Sequence, residues 1–164
     1  MNNVIFLDID GVLNSNDWYH KRQKLTTADE TWSFLSRNLN EFDPIAVGRL
    51  QFIIHETNAK LVLSSSWRRL HSLDEISEFL GQISTWDNER WRELFIGATP
   101  CHHDGFRGHE IDAWMEEHHA SVRKFVIIDD DSDFTEKQKP FFVHTTWKDG
   151  LTDSDVHKAI AILT

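Results

Sequence analysis

The chain of 164 residues is long enough for one domain with a substantial core, and too short for two domains of ordinary size. Its hydrophobic content of 40% and charged content of 27% are typical of a soluble globular protein. The formal net charge of −10 argues against a broad basic surface for nucleic acid, although local arginines can still bind one or two phosphates.

The sequence gives no sign of a membrane segment or a signal peptide. No apolar run approaches the length of a membrane span, and Asp8 and Asp10 interrupt the apolar stretch near the N-terminus. The single cysteine, Cys101, excludes an intramolecular disulfide and agrees with a reducing compartment. We therefore expect a cytoplasmic location.

The first predicted element is a strand that ends in two acids. Residues 4–7 form a continuous apolar run, which is typical of a strand buried on both faces of a parallel sheet. Asp8 follows at the carboxyl end of this strand, and Asp10 comes two positions later. Gly11 allows a sharp turn, so both carboxylates can point into one crevice. Two carboxylates this close repel each other unless a cation or a shared proton offsets the repulsion.

A second strand follows the first predicted helix. The stretch 15–42 shows no clean period and is a candidate lid, because it lies between the first strand and the first helix. Asp43 and Pro44 predict the N-cap and first position of a helix. Residues 60–63 then predict a buried strand that leads into Ser64 and two further serines.

The second half of the chain continues the alternation. Residues 73–80 predict a helix, 94–97 a short strand, and Arg107 opens a further helix. Residues 125–128 predict a strongly apolar strand that ends in acids, followed by a strand at 141–143 and a last helix from about 152. Strands that alternate with helices imply βαβ units and a parallel sheet covered on both faces. We predict an α/β fold in a single domain over 1–164, in which 15–43 and 82–106 are small lid or cap-like insertions.

Polar groups follow three of the predicted strands. Asp8 and Asp10 follow the first strand, Ser64 the second, and Asp129 and Asp130 the strand at 125–128. The carboxyl ends of parallel strands share one edge of the sheet, where ligands bind in open α/β folds. We therefore expect these groups to converge.

This order of motifs resembles the haloacid dehalogenase (HAD) superfamily of phosphohydrolases. The motifs are D-x-D-G-V, a hydrophobic run ending in Ser, an Arg that opens a helix, and four hydrophobic residues followed by two aspartates. The finer motifs SSSWR, GATP, R-G-x-E-I-x-x-W and IDDDSDF resemble the HAD domains of Swiss Army Knife RNA-repair proteins. Those domains are related to the phosphatase domains of polynucleotide kinase-phosphatases. The resemblance implies a three-layer, Rossmann-like fold with a central, mostly parallel sheet.

The resemblance implies roles for the acids. Asp8 would be the nucleophile that forms an aspartyl-phosphate, and Asp10 the general acid and then the general base. Mg²⁺ would be held by Asp8, by the backbone carbonyl of Asp10, and by one acid of the last motif. Asp129 and Asp130 both fit that motif, and we favour Asp130 as the direct ligand.

The resemblance also implies groups that hold the phosphate. Ser64 would donate a hydrogen bond to a phosphate oxygen, with Ser65 as the alternative one residue on. Arg107 would supply the cation that the superfamily more usually takes from lysine. Arg68 is a second candidate for phosphate binding, and Gly11 would let the backbone approach the substrate.

Two further sets of residues are open to functional interpretation. Ten histidines suggest zinc, but no second Cys/His pair has zinc-finger spacing, and we favour substrate contact for His102, His103 or His109. Tryptophans in the irregular segments between 18 and 91 either stack nucleobases or pack short lid elements.

The short intervals between motifs predict no large cap, and so an open site. We expect a Mg²⁺-dependent phosphatase for a phosphorylated nucleic-acid end or nucleotide. A small-metabolite phosphatase and a catalytically quiet HAD-like binding domain in a repair or regulatory system are the alternatives. No membrane partner is expected.

Overall fold

A computed structural model of the protein describes residues 1–25 and 41–164. At its centre lies a five-stranded parallel sheet in the order β3-β2-β1-β4-β5. The strands are β1 (Asn2–Leu7), β2 (Lys60–Leu63), β3 (Phe95–Ala98), β4 (Val122–Asp129) and β5 (Phe142–His144). The first strand of the chain is therefore the middle strand of the sheet.

β1 is buried on both faces, as its apolar run predicts. Ile5 and Leu7 point into a large cluster on one side of the sheet, whereas Val4 and Phe6 point into a smaller cluster on the other. All four side chains are fully inaccessible to solvent. Because successive side chains of a strand point to opposite faces of the sheet, β1 contributes to two hydrophobic cores, one beneath each layer of helices.

Six helices flank the sheet among the described residues. They are α1 (Asn16–Leu25), α2 (Pro44–Thr57), α3 (Leu73–Ile83), α4 (Asn88–Leu94), α5 (Arg107–His118) and α6 (Asp153–Leu163). Side-chain caps fix several of their starts. Asp43 caps α2 before Pro44, as predicted, and Ser72 and Thr152 form capping boxes with Glu75 and Asp155. The predicted α/β fold is confirmed.

The segment 82–106 differs from the predicted insertion. Most of it belongs to the body of the fold, because α4 packs on α3 and β3 pairs with β2 at the edge of the sheet. Trp91 on α4 is fully buried, and Trp86 packs against it with ring centroids 5.2 Å apart. These tryptophans therefore serve packing, and only the loop at 99–106 remains a candidate lid.

The other predicted insertion, 15–43, is described in part. It begins with α1, which contacts the segment after β5 through hydrogen bonds from Asn16 N to Trp147 O and from Asp17 N to Lys148 O, at 2.9 and 3.1 Å. Residues 26–40, which include Trp32, lie outside the described residues. Across 1–25 and 41–164, no inserted domain covers the sheet edge, and none of the helices is both long and apolar enough to cross a bilayer.

Candidate active site

The carboxyl ends of the three central strands meet at one edge of the sheet. The parallel ladder continues one residue past each strand: Asp8 N donates to Ile128 O at 3.0 Å, and Ser64 N donates to Leu7 O at 2.8 Å. On the far side of β4, Thr145 N donates to Asp129 O at 3.0 Å. The predicted convergence of acids and serines is therefore built by backbone hydrogen bonds.

Asp8, Asp129 and Asp130 form a group that we name the acidic cluster. One carboxylate oxygen from each residue lies within 4.8 Å of the other two. Asp8 and Asp129 are buried, with 5% and 0% of their surfaces exposed, and Asp130 is partly buried. Three acids, two of them buried, therefore lie close together with little exposure to solvent.

Burial changes the acidity of this cluster. Desolvation raises the pKa of Asp8, although the Arg107 guanidinium and a hydrogen bond from the Ser65 hydroxyl act in the opposite direction. Desolvation also raises the pKa of Asp129, and the negative charge of Asp8 adds to this effect. The pKa of Asp130 is raised as well, first by desolvation and then by Asp131. Without a cation, the ionised cluster is therefore unfavourable.

The acidic cluster fits a divalent metal ion. Asp129 Oδ2 is buried and accepts no hydrogen bond from the part of the chain that the structure describes. The Arg107 guanidinium lies close to it, with Nε 3.6 Å away. Carboxylate oxygens that lack a donor and lie close together are the ligands that hard cations such as Mg²⁺ prefer. The cluster contains Asp8, Asp129 and Asp130 of the predicted ligand set, and Asp10 contributes no side-chain oxygen to it.

Asp10 is oriented separately from the acidic cluster. Trp67 Nε1 donates to Asp10 Oδ2 at 3.1 Å, and Asn14 Nδ2 donates to Oδ1 at 2.8 Å. Asn14 Oδ1 in turn accepts the backbone N–H of Gly11 at 2.9 Å, which closes the turn after β1. The indole and the amide thus hold the Asp10 carboxylate in one orientation.

Gly11 adopts the left-handed conformation that the predicted turn requires, with φ of +69°. A Cβ atom at this position would lie 2.7 Å from Asp130 Cβ, and closer still to the carboxyl group of Asp130. The absence of a side chain therefore lets Asp130 lie against the turn. Thr145 Oγ1 donates to the Gly11 carbonyl at 2.8 Å and fixes the same turn from the β5 side.

Arg107 lies at the position predicted for the cation. Its Nη2 is 3.9 Å from Asp8 Oδ1, and its Nη1 donates to the Ser64 carbonyl at 2.6 Å. The backbone N–H of Arg107 donates to Asp133 Oδ2 at 2.8 Å, so the start of α5 is tied to the loop after β4. Only 14% of the Arg107 side chain is exposed, which brings its charge against the acids with little intervening solvent.

The two candidate serines differ in their surroundings. The Ser65 hydroxyl acts to lower the pKa of the Asp8 carboxyl, and Ser65 Oγ caps the short 3-10 helix Ser66–Arg69 by accepting from Trp67 N at 3.4 Å. The Ser64 hydroxyl is buried and has no hydrogen-bond partner among the described residues. Ser65, the predicted alternative, is therefore the serine whose hydroxyl acts on the Asp8 carboxyl group.

Arg68 is placed differently from the expectation that it binds phosphate. Its Nη2 donates to Glu110 Oε2 at 2.6 Å, and its Nη1 donates to the Ser65 carbonyl at 2.5 Å. The Arg68 and Glu110 side chains are only 7% and 3% exposed, so the two charges neutralise each other in a buried ion pair. We therefore reassign Arg68 from phosphate binding to holding the serine turn in place.

Sequence reasoning missed several residues that support the site. Trp67 was expected only to pack behind the second motif, and no role was predicted for Asn14 on Asp10, Glu110 under Arg68 or Thr145 on the Gly11 turn. The spacing of Glu110 was informative, because it lies three residues after Arg107 and so on the same face of α5. The contact between Trp67 and Asp10 joins residues 57 apart and left no signal in the spacing.

A central strand that ends in an Asp-x-Asp turn, beside a strand that ends in paired aspartates, defines a domain of the HAD superfamily. The family model described as the HAD domain in Swiss Army Knife RNA repair proteins matches residues 4–156, and the chain belongs to that family. The resemblance inferred from the motifs is thus confirmed, and the family points to a phosphatase-type hydrolase. No match was found among curated proteins or among solved structures.

Proposed function

We propose that the protein is a Mg²⁺-dependent phosphohydrolase that cleaves a phosphomonoester through an aspartyl-phosphate on Asp8. The observation that carries the proposal is the position of the Asp8 carboxylate, which is buried at the end of β1, 3.9 Å from Arg107 and within the acidic cluster. A carboxylate in contact with a guanidinium and with a site for a divalent cation is placed to attack a phosphoryl group whose negative charge is neutralised.

The first step forms a bond between an Asp8 carboxylate oxygen and phosphorus while the bond from phosphorus to the leaving oxygen breaks. Asp10 donates a proton to that oxygen, so the alcohol leaves neutral. Trp67 and Asn14 hold Asp10 for this transfer. Arg107 and the Ser65 hydroxyl bind the oxygens of the transferred group, and a bound Mg²⁺ would supply positive charge at the same place.

The second step restores Asp8. Asp10, now ionised, takes a proton from a water molecule as that water attacks phosphorus, and the bond between phosphorus and Asp8 breaks. Inorganic phosphate is released and both carboxyl groups return to their starting states. The effect of the Ser65 hydroxyl on the pKa of Asp8 favours Ser65 over Ser64 as the phosphate-binding serine.

The favoured substrate is a phosphorylated nucleic-acid end or a nucleotide. The family description places its members in RNA repair, and residues 1–25 and 41–164 form no cap domain over the sheet edge. The net charge of −10 favours instead a small phosphorylated metabolite. The paired Asp8 and Asp10 argue against a catalytically quiet binding domain.

The test is phosphate release from a panel of substrates, with and without Mg²⁺. The panel holds 3′- and 5′-phosphorylated oligonucleotides, nucleotides and sugar phosphates. Asp8→Asn is expected to lower turnover by at least about a thousandfold while the circular dichroism spectrum is retained. Asp74→Asn, an exposed acid on α3 with 80% of its side chain accessible, is the matched control and is expected to keep full activity.

The outcomes separate the alternatives. Release from oligonucleotides supports the favoured substrate class, and release from sugar phosphates alone supports a metabolite phosphatase. No metal-dependent release from any member contradicts the phosphohydrolase proposal, and an Asp8→Asn variant with a near-normal rate removes Asp8 as the nucleophile.

A further inference from the structure

A second group of metal-ligating side chains lies in the loop that leads into α5. His102, Asp104 and His109 each offer one ligand atom, and these atoms lie within 4.8 Å of one another. Asp104 Oδ1 is 2.7 Å from His102 Nδ1, and Asp104 Oδ2 is 2.8 Å from His109 Nδ1. We propose that these three residues, which we name the His-Asp-His cluster, bind a transition-metal ion of the Zn²⁺ type.

The backbone holds the three side chains together. Asp104 Oδ1 accepts the backbone N–H of Phe106 at 2.9 Å, and Gly105 turns the chain with φ of +68°. The turn brings the first turn of α5, which carries His109, back against His102. On the other side, His102 N donates to Glu110 Oε1 at 3.1 Å. The ligands are therefore positioned by contacts that do not depend on a metal.

The ligand chemistry separates this cluster from the acidic cluster. Two imidazoles and one carboxylate suit Zn²⁺ and related ions, whereas Mg²⁺ prefers oxygen ligands alone. The His102, Asp104 and His109 side chains are 34%, 35% and 48% exposed, so water can complete the coordination.

The ligands of the His-Asp-His cluster flank the first residue of α5 in the chain. Arg107 lies between Asp104 and His109 in the chain, and the backbone of His102 is bonded to the Glu110 that holds Arg68. An ion in the cluster therefore ties the loop at 102–106 to the helix turn that carries Arg107. Its binding does not require the protein to be a phosphatase.

The experiment measures Zn²⁺ binding directly. The full chain, free of any polyhistidine tag, is stripped with a chelator and titrated with Zn²⁺ by calorimetry in excess Mg²⁺, which fills the acidic cluster. We expect one Zn²⁺ per chain. Because loss of groups that merely support metal ligands already weakens binding about 10–100-fold, His102→Ala and His109→Ala are each expected to weaken it at least as much. Co²⁺ absorption spectra provide a second readout, since bands of a nitrogen-ligated ion should disappear in both variants.

Matched variants show whether the binding is specific. His55 also pairs with an acid, since its Nδ1 lies 3.0 Å from Glu56 Oε1. It belongs to no three-residue metal-ligating cluster among the described residues, so the His55→Ala variant should bind Zn²⁺ like the wild type. Asp8→Asn should also retain the site. The proposal is overturned if the wild type binds no Zn²⁺ in excess Mg²⁺, if His55→Ala loses as much affinity as His109→Ala, or if Asp8→Asn abolishes binding. Retained circular dichroism spectra show that the histidine variants are folded.

Discussion

Replacing Gly11 with alanine tests whether the turn after β1 and the acidic cluster are built as one unit. Two physical effects apply. An alanine at φ of +69° is strained by about 1–2 kcal/mol. Its Cβ would also lie 2.7 Å from Asp130 Cβ, where ordinary contacts begin near 3.4 Å, so one of the two backbones must move. Rotation of the Asp130 side chain alone cannot relieve a clash with its Cβ atom.

Gly105→Ala is the matched control for this substitution. Gly105 has nearly the same φ, +68°, but nothing lies within 4 Å of the position that its Cβ would take. The strain of an alanine at positive φ should therefore lower the free energy of unfolding of both variants. Overpacking should lower it by about 1–3 kcal/mol more in Gly11→Ala alone. Because about 1 kcal/mol shifts the melting temperature of a chain of this size by about 2–4 °C, Gly11→Ala should melt several degrees below Gly105→Ala.

Calorimetric titration with Mg²⁺ provides the second measurement. Displacement of Asp130 should weaken Mg²⁺ binding by about 10–100-fold in Gly11→Ala, whereas Gly105→Ala should bind Mg²⁺ like the wild type. Equal melting temperatures for the two variants, together with unchanged Mg²⁺ affinity in Gly11→Ala, would refute the close packing of Gly11 on Asp130. It would also remove the argument that Asp130 is a metal ligand.

Three further predictions concern the neighbours of the acidic cluster. Glu110→Gln leaves the buried Arg68 charge without its partner and should destabilise the protein by about 3–5 kcal/mol in urea unfolding. Trp67→Phe removes the N–H donor to Asp10 and should lower kcat more than it raises KM. Burial raises the pKa of Asp8, so the folded metal-free protein binds more protons than the unfolded chain and should lose stability as pH rises above about 4. Added Mg²⁺ should therefore raise the melting temperature more at about pH 8 than at about pH 5, because protons compete with the metal for the carboxylates.

Each of these predictions has a control. Asp153→Asn removes the acid of an exposed ion pair with Arg49, in which 80% of the Asp153 side chain is accessible, and should leave stability almost unchanged. A similar small change for Glu110→Gln would contradict the buried ion pair. Trp86→Phe alters a tryptophan distant in the chain from the site and should leave kcat unchanged. A Mg²⁺ effect that is independent of pH would contradict the raised pKa values.

The sheet and its active edge could be predicted because their signals are local. Unbroken apolar runs in β1, β2 and β4 required burial on both faces, and the acids and serines that follow them had to share one edge. The N-caps of α2 and α6 were also encoded by adjacent residues, as Asp43 and Thr152 show.

The supporting contacts that join separate elements of the site could not be predicted from spacing. Trp67 reaches Asp10 only because β2 pairs beside β1 and the chain then turns through a 3-10 helix. Likewise, the charge of Arg68 suggested a phosphate ligand, and only the packing of α5 showed that Glu110 neutralises it. The short α4 carried too little periodicity to distinguish a helix of the core from a lid.

The hydrogen bond from Thr145 to the carbonyl of Gly11 joins residues 134 apart in the chain. This separation affects the order in which parts of the protein can fold during synthesis. β1 is synthesised first, yet as the middle strand it lacks its β4 neighbour until residues 122–129 have left the ribosome. Until then, the apolar side chains of β1 and the acids that follow it lack the contacts that β4 provides in the folded protein. Such long-range pairing is slow and exposes nascent segments to aggregation. The turn at residues 8–11 is thus the earliest part of the candidate site to be translated and among the last to acquire its native contacts.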